Sequence, residues 1–166
     1  MNRARASVSG EPVEPRLSDE KRLSTSSGLT EYPSAIRFAG YAAIFDRIDR
    51  GGDIIRRGAF GDLAEGKSLP LLWQHDPLRR IGHVDFVRED RRGLRVIGTV
   101  STVTRAGREA AALLVGAAVK GLSFGYRVKR ARGEGPRELL DLDVAEISLV
   151  TSPMQDLARV HLVQQP

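Results

Sequence analysis

Three side chains of this sequence have the chemistry of a hydrolytic site: the imidazole of His75, the hydroxyl of Ser123 and the carboxylate of Glu146. A serine hydroxyl is a weak nucleophile until a base removes its proton, and histidine is a common base for that step. The imidazole works best when an acceptor, such as a carboxylate, holds its other ring nitrogen. These residue types therefore allow nucleophilic attack on an acyl group, provided that the fold brings them together.

His75 follows an apolar stretch at residues 69–73 and precedes the dipeptide Asp76-Pro77. An apolar run between turn signals predicts a short buried strand, and a residue before proline is kept out of the α region. We therefore expect the chain to turn at Asp76-Pro77 and His75 to lie at the strand end. There it would be packed on one side and accessible on the other, as a general base requires. The alternative is a structural histidine beside Trp73.

Ser123 lies in a segment, residues 122–128, whose apolar side chains alternate so that Ser123 and Gly125 share the opposite face. We expect Gly125 to leave room above the backbone for a substrate chain. The alternative for Ser123 is a small strand residue packed near a glycine. The sequence contains no G-x-S-x-G elbow, so the common hydrolase fold is not indicated.

Glu146 interrupts an apolar strand pattern at residues 144–150. Acidic residues are depleted in strands, which makes this one a candidate to orient His75. A surface-facing position on an edge strand is the alternative interpretation.

Cysteine is absent from the 166 residues, which excludes disulfides, thiolate nucleophiles and cysteine-based zinc sites. The three histidines, His75, His83 and His161, do not have the H-x-x-x-H spacing of metal ligands. We therefore predict neither a metal site nor a cofactor.

The formal net charge is +5, so acidic partners have to be considered. The Lys and Arg residues occur singly or in pairs along predicted strands, without the interleaved aromatic residues that stack bases. A solvated basic surface is therefore preferred to a nucleic-acid site.

No apolar run approaches the roughly 20 residues of a membrane span, and no apolar centre of a signal peptide is present. We expect a protein of the cytoplasm.

Residues 1–33 are rich in Ser, Thr, Pro and charge, with five basic and five acidic side chains that cancel. Such a composition buries too little apolar surface to offset the entropy of ordering. We predict a disordered N-terminal arm at 1–33 and one folded domain at 34–166.

Alternating patterns within the folded domain predict strands near residues 36–45, 54–55, 69–75, 80–87, 94–100, 122–128, 138–150 and 158–163. One or two helical turns are predicted at 58–63. Helical spacing then follows Thr104, a candidate N-cap, and Gly121 is the candidate end of that helix. Many short strands with one good helix favour an α+β domain with an antiparallel, barrel-like β core surrounded by a few helices.

Several blocks of the sequence resemble, in order and spacing, the prohead maturation proteases of tailed bacteriophages. They are residues 40–45 (GYAAIF), 57–60 (RGAF), 71–76 (LLWQHD), 81–82 (IG), 93–94 (GL), 121–126 (GLSFGY) and 146–153 (EISLVTSP). The resemblance covers about residues 36–162. Because it rests on several independent blocks, it is more specific than any single motif.

The resemblance implies a serine endopeptidase related to the herpesvirus capsid-maturation proteases, with an antiparallel β-barrel surrounded by helices. It places the family's histidine on His75, its nucleophile on Ser123 and an acidic third member on Glu146. The herpesvirus relatives use a second histidine instead, for which His83 and His161 are the candidates here. The oxyanion donors are implied to be backbone N–H groups, with an Arg or an ordered water as an alternative, and they stay unassigned.

The resemblance also implies where such an enzyme acts and on what. Its substrates would be the major capsid protein precursor, the scaffold segment and often the enzyme itself, inside the prohead assembling in the bacterial cytoplasm. A homodimer is expected. A non-catalytic internal scaffold or core component of the procapsid is the alternative function, and a basic nucleic-acid-binding barrel is a third.

Overall fold

The computed structural model describes residues 34–61, 63 and 67–165 of the chain. In that part, eight strands and one helix follow one another. They are β1 (Ala35–Ile44), β2 (Asp53–Ile55), β3 (Leu69–Trp73), β4 (Asp76–Glu89), β5 (Gly93–Ser101), α1 (Arg105–Val115), β6 (Gly121–Arg132), β7 (Arg137–Val150) and β8 (Val160–Gln164). The arm predicted at 1–33 lies outside the described residues.

The strands form a single sheet in the order β2-β7-β3-β4-β5-β1-β8, and β6 pairs with β7. Most pairs are antiparallel, as predicted, but β2 and β3 both run parallel to β7. Since β6 pairs with β7 along nearly its whole length, β2 and β3 share the other edge of β7. Strand β7 is therefore the central element on which three other strands are aligned.

The predicted α+β class is confirmed, with strands predominating, but the barrel-like core is not, and the described residues contain one helix rather than a few. The named strands form an open sheet. Within the described residues, β6 and β8 approach each other through an isolated bridge between Gly121 and Arg159. Two backbone hydrogen bonds flank it, from Leu122 N to the Ala158 carbonyl at 2.9 Å and from Val160 N to the Lys120 carbonyl at 2.8 Å.

The core is formed by the apolar side chains that alternate along these strands. Fully buried members include Leu71, Val84, Leu94, Ile147 and Leu149, which come from four different strands. Burial of one such side chain contributes about 1.5–3 kcal/mol. Two of them, Ile147 and Leu149, lie on β7, so the strand that carries Glu146 is anchored in the core by side chains of the opposite face.

Helix α1 begins as predicted, because the Thr104 side chain accepts a hydrogen bond from Gly107 N at 3.0 Å. It ends earlier than predicted, at Val115 with Gly116 as C-cap, and Gly121 instead begins β6. The chain leaves the helix through Ala117, whose φ of 58° is left-handed. None of the helices in the described residues has both the length and the apolarity needed to cross a membrane.

Of the segment predicted to be helical at 58–63, residues 58–61 form turns instead. Backbone hydrogen bonds join residues three apart, from Ala59 N to the Arg56 carbonyl at 3.1 Å and from Gly61 N to the Gly58 carbonyl at 3.2 Å. Gly58 has a φ of 85°, which interrupts a right-handed helix. The Glu89 carboxylate holds the Gly58 and Phe60 amides at 3.1 Å, so this segment is tied to the end of β4.

We predict that Gly107→Ala destabilises the fold at helix α1, which precedes the strand that carries Ser123. A Cβ at Gly107 would lie 1.8 Å from the Ser101 carbonyl oxygen, a backbone atom that cannot rotate away. Overpacking of this kind costs about 1–3 kcal/mol. The measurement is the free energy of unfolding in urea. Gly135→Ala is the matched control, since nothing lies within 4 Å of a Cβ there, and equal stability of the two variants would contradict the argument.

Candidate active site

His75 lies at the tip of the tight hairpin that joins β3 to β4. Trp73 pairs with Asp76, so Gln74 and His75 are the two loop residues. Both have left-handed backbone angles, with φ of 54° and 60°, as a two-residue type I′ turn requires. The prediction that the chain turns at Asp76-Pro77 was wrong, because these residues already belong to β4.

The end of β7 holds this hairpin in place. Gln74 N donates to the Leu149 carbonyl at 3.1 Å. The Gln74 side chain donates to Thr151 Oγ1 at 2.9 Å and accepts from Thr151 N at 3.3 Å. Non-glycine residues in the left-handed region cost on the order of 1 kcal/mol or more each. These contacts with β7 offset that cost and fix the direction in which His75 points.

The structure brings His75 and Glu146 together. Nδ1 of His75 lies 2.5 Å from Oε1 of Glu146. The imidazole side chain is 43% exposed, whereas the carboxylate side chain is 12% exposed. Glu146 is therefore not a surface position on an edge strand. With Nδ1 engaged by the carboxylate, Nε2 is the ring nitrogen left to exchange a proton with a neighbour.

The second carboxylate oxygen of Glu146 is held by a residue that the sequence reasoning missed. Ser148 Oγ donates to Glu146 Oε2 at 2.6 Å and accepts from His75 N at 3.1 Å. Ser148 is fully buried. The available signal was its position two residues after Glu146, since residues i and i+2 of a strand lie on one face.

Ser123 lies on the same face of the sheet as these groups. The pairing of β6 with β7 places Ser123 opposite Ser148 and Gly125 opposite Glu146. Directly opposed residues of antiparallel strands have Cβ atoms roughly 4.5–5.5 Å apart and share a face. Ser123 is 8% exposed. Strand β7 lies between β6 and β3, and no hydrogen bond joins the Ser123 hydroxyl to His75 among the described contacts.

Gly125 makes room for the carboxylate rather than for a substrate. A Cβ at Gly125 would lie 2.6 Å from Oε1 and 3.0 Å from Cγ of Glu146. The expectation that this space receives a substrate chain was wrong, because the Glu146 side chain fills it. Any residue larger than glycine here would displace the group that holds His75.

His83 lies on β4 and has its own acidic neighbour, with Nε2 3.0 Å from Asp85 Oδ1. Both side chains are about half exposed. No contact joins His83 to Glu146 or Ser123 in the part of the chain that the structure describes.

His161 lies on the edge strand β8, where its ring meets Tyr41 edge-on with centroids 6.0 Å apart. Burial lowers the pKa of His161, and the nearby Arg92 and Arg159 guanidinium groups lower it further. Such surroundings disfavour the charged imidazole that a proton relay must form. No contact joins His161 to His75 among the residues that the structure describes.

A small cavity of about 70 Å³ adjoins β6, and its lining includes Ser123 together with Leu122, Phe124 and Tyr126. Burial raises the pKa of Tyr126, and the Asp53 and Asp49 carboxylates raise it further. His75 and Glu146 do not line this cavity. The accessible side of the imidazole lies at the surface instead.

Among the described residues, no group of three or more His, Asp or Glu side chains is placed to hold a metal ion.

Comparison with known proteins agrees with the chemistry of this arrangement. Residues 24–166 match the family described as caudovirus prohead serine protease. Over 96 residues the chain is 29% identical to the prohead protease of Enterobacteria phage HK97, which covers 56% of this chain and 43% of that relative. The chain thus spans less than half the length of that protein.

Solved structures with a similar fold come from herpesviruses. The protease of Kaposi's sarcoma-associated herpesvirus, in complex with a hexapeptide phosphonate inhibitor, superposes with a TM-score of 0.60 at 13% identity. The match covers 80% of this chain and 66% of that one. Varicella-zoster virus protease gives a TM-score of 0.50 at 16% identity, over 78% of this chain and 64% of that one. At these identities the likeness establishes the fold alone. Because the family match extends over most of its residues, the chain belongs to the caudovirus prohead serine protease family.

Proposed function

We propose that the protein is a serine endopeptidase that cleaves capsid precursor protein during maturation of a phage procapsid. The observation that carries the proposal is the His75–Glu146 pair at 2.5 Å, on the same sheet face as Ser123. Family membership supplies the reaction class. In this assignment Ser123 is the nucleophile, His75 the general base and acid, and Glu146 the group that orients His75.

The chemistry proceeds in two halves. Nε2 of His75 takes the Ser123 proton as Oγ attacks the peptide carbonyl carbon, and the imidazolium then protonates the leaving amine. A water molecule, deprotonated by the same nitrogen, releases the acyl group and restores the serine. The ionised Glu146 carboxylate stabilises the imidazolium in both halves and holds the tautomer in which Nδ1 carries the proton.

The reaction requires the Ser123 hydroxyl and His75 Nε2 to come within hydrogen-bond reach. The strand pairing supports this, because Ser123 is directly opposite Ser148 and Ser148 Oγ is 3.1 Å from His75 N. Rotation of the Ser123 side chain and the exposed imidazole closes the remaining gap when substrate binds. Catalytic hydrogen bonds often tighten in this way when the substrate complex forms.

The substrates that we propose are the major capsid protein precursor, its scaffold segment and the enzyme itself. The reaction would take place inside the prohead as it assembles in the bacterial cytoplasm. We further propose a homodimer. Exposed apolar side chains at Val103, Leu113 and Val115, on and beside α1, support a second copy at that surface.

Ser123→Ala is expected to abolish processing of co-expressed capsid precursor while the protein stays folded. Loss of the nucleophile removes the covalent route and lowers the rate by at least about a thousandfold. Electrophoresis and mass spectrometry of the assembled shells measure the cut fraction. His83→Ala is the matched control and should process normally, since His83 has its own partner in Asp85. If Ser123→Ala processes precursor at the normal rate, Ser123 is not the nucleophile. Shells of correct size that contain uncut precursor beside the wild-type protein would favour the non-catalytic internal scaffold.

Gly125→Ala is expected to lower kcat by roughly tenfold or more, measured under conditions in which the variant is folded. The added methyl group would push the Glu146 carboxylate away from His75, because only 2.6 Å separates its position from Oε1. A displacement near 1 Å at a reacting group can cost on the order of a hundredfold in rate. Gly135→Ala serves as the control. Unchanged kcat in Gly125→Ala would argue against Glu146 as the orienting group.

We propose that self-cleavage takes place within residues 1–33, which are rich in Ser, Thr, Pro and charged residues. Wild-type protein is expected to lose part of this segment on storage, whereas Ser123→Ala keeps it. Intact-mass measurement of both proteins over time tests this. Equal shortening of the two would indicate a contaminating protease.

A further inference from the structure

We propose that Ser148 is a positioning residue of this site, whose hydroxyl couples the Glu146 carboxylate to the hairpin that carries His75. The inference rests on the proposed peptidase function. Ser148 would not contact substrate, because it is fully buried on the central strand β7. It would act through Glu146 and His75 alone.

Three hydrogen bonds form a closed ring in which Ser148 is one corner. His75 Nδ1 meets Glu146 Oε1 at 2.5 Å, and Glu146 Oε2 meets Ser148 Oγ at 2.6 Å. Ser148 Oγ meets the backbone N of His75 at 3.1 Å. The ring therefore links the side chain of His75 to its own backbone through the carboxylate and the hydroxyl.

The chemistry of the groups gives this ring one direction. A backbone N–H can only donate, so Ser148 Oγ must accept from His75 N. The single hydroxyl proton is then free for Glu146 Oε2, and an ionised carboxylate can only accept. With Oε2 engaged in this way, Oε1 is turned towards Nδ1 of His75. Water does not compete for the hydroxyl, because Ser148 has no exposed surface.

Ser148 differs from the other groups that hold the hairpin. Gln74 is bound to Leu149 and Thr151, and neither contact reaches Glu146. These bonds keep the turn against β7 when the Ser148 hydroxyl is removed. The variant then loses only the two hydrogen bonds that join the His75 backbone N–H, through Ser148 Oγ, to the Glu146 carboxylate.

Removal of the hydroxyl is therefore expected to act on kcat. In Ser148→Ala the carboxylate loses its donor and rotates, so that Oε1 no longer faces Nδ1 squarely. We expect kcat to fall on the order of tenfold to a hundredfold. The KM should stay within about threefold of wild type, since interactions lost only in the transition state leave KM unchanged.

The experiment measures kcat and KM of the full-length protein on purified capsid precursor. The matched control is Thr151→Val, which removes a hydroxyl that holds the hairpin through Gln74 but does not touch Glu146. Its loss of kcat is expected to be several-fold smaller than that of Ser148→Ala. A double-mutant cycle with Glu146→Gln isolates the coupling. In that background Ser148→Ala should cost nothing further in kcat, whereas Thr151→Val should cost as much as it does alone.

Ser148→Cys is the second variant, to be measured if Ser148→Ala fails to fold. The thiol fills a similar volume but is a weak donor and acceptor, so the same loss of kcat is expected. A second readout is the proton resonance of His75 Nδ1–H, which should lie far downfield in the wild type and move upfield in both variants.

The outcomes separate this inference from the proposed function. If Ser123→Ala is inactive and Ser148→Ala keeps wild-type kcat, the positioning role is overturned and the peptidase stands. If the loss in Ser148→Ala persists in full beside Glu146→Gln, Ser148 acts on the hairpin alone and the coupling is overturned. If Ser123→Ala retains activity, the assignment of Ser123 as nucleophile fails first, and the proposed mechanism fails with it.

Discussion

The arrangement depends on one buried carboxylate. Glu146 lies on the central strand with its side chain 12% exposed, and an ionised carboxylate in such a place costs several kcal/mol unless donors surround it. One donor comes from His75 and the other from Ser148, while Gly125 on β6 leaves the space. The strands β3, β4, β6 and β7 must be in register before the Glu146 carboxylate has both of its donors. The pairing of β6, β7 and the β3–β4 hairpin is therefore linked to the chemistry of the site.

The hairpin is the strained part of this arrangement. Gln74 and His75 adopt left-handed angles that glycine or asparagine would adopt more readily. The turn is retained because its backbone and side-chain groups are bound to β7 at Leu149 and Thr151. A glycine would make the same turn at lower cost, but it would lack the imidazole. The strain is thus a consequence of placing an imidazole at a hairpin tip.

The alternation of apolar residues in the sequence predicts most of the strands, but it does not predict most of the contacts within the site. Alternating apolar residues locate the strands, and the isolated acid in an apolar strand identifies Glu146. The turn at Gln74-His75 could not be predicted, since it depends on Trp73 pairing with Asp76, and neither loop residue is the glycine or asparagine that usually marks such a turn. The early end of α1 depends in the same way on a left-handed alanine, Ala117. Ser148 resembles any small strand residue until the register places it beside His75.

Burial across the site decreases in one direction, from Ser148 through Glu146 to His75. Ser148 is fully buried, Glu146 is mostly buried and the His75 ring is 43% exposed. The carboxylate is thereby shielded from external cations, so its charge acts mainly on the imidazole. The cavity of about 70 Å³ beside β6 is lined by Ser123 but not by His75. Ser123 therefore borders both this cavity and the sheet face that carries Glu146 and Ser148, whereas the His75 ring is exposed at the surface.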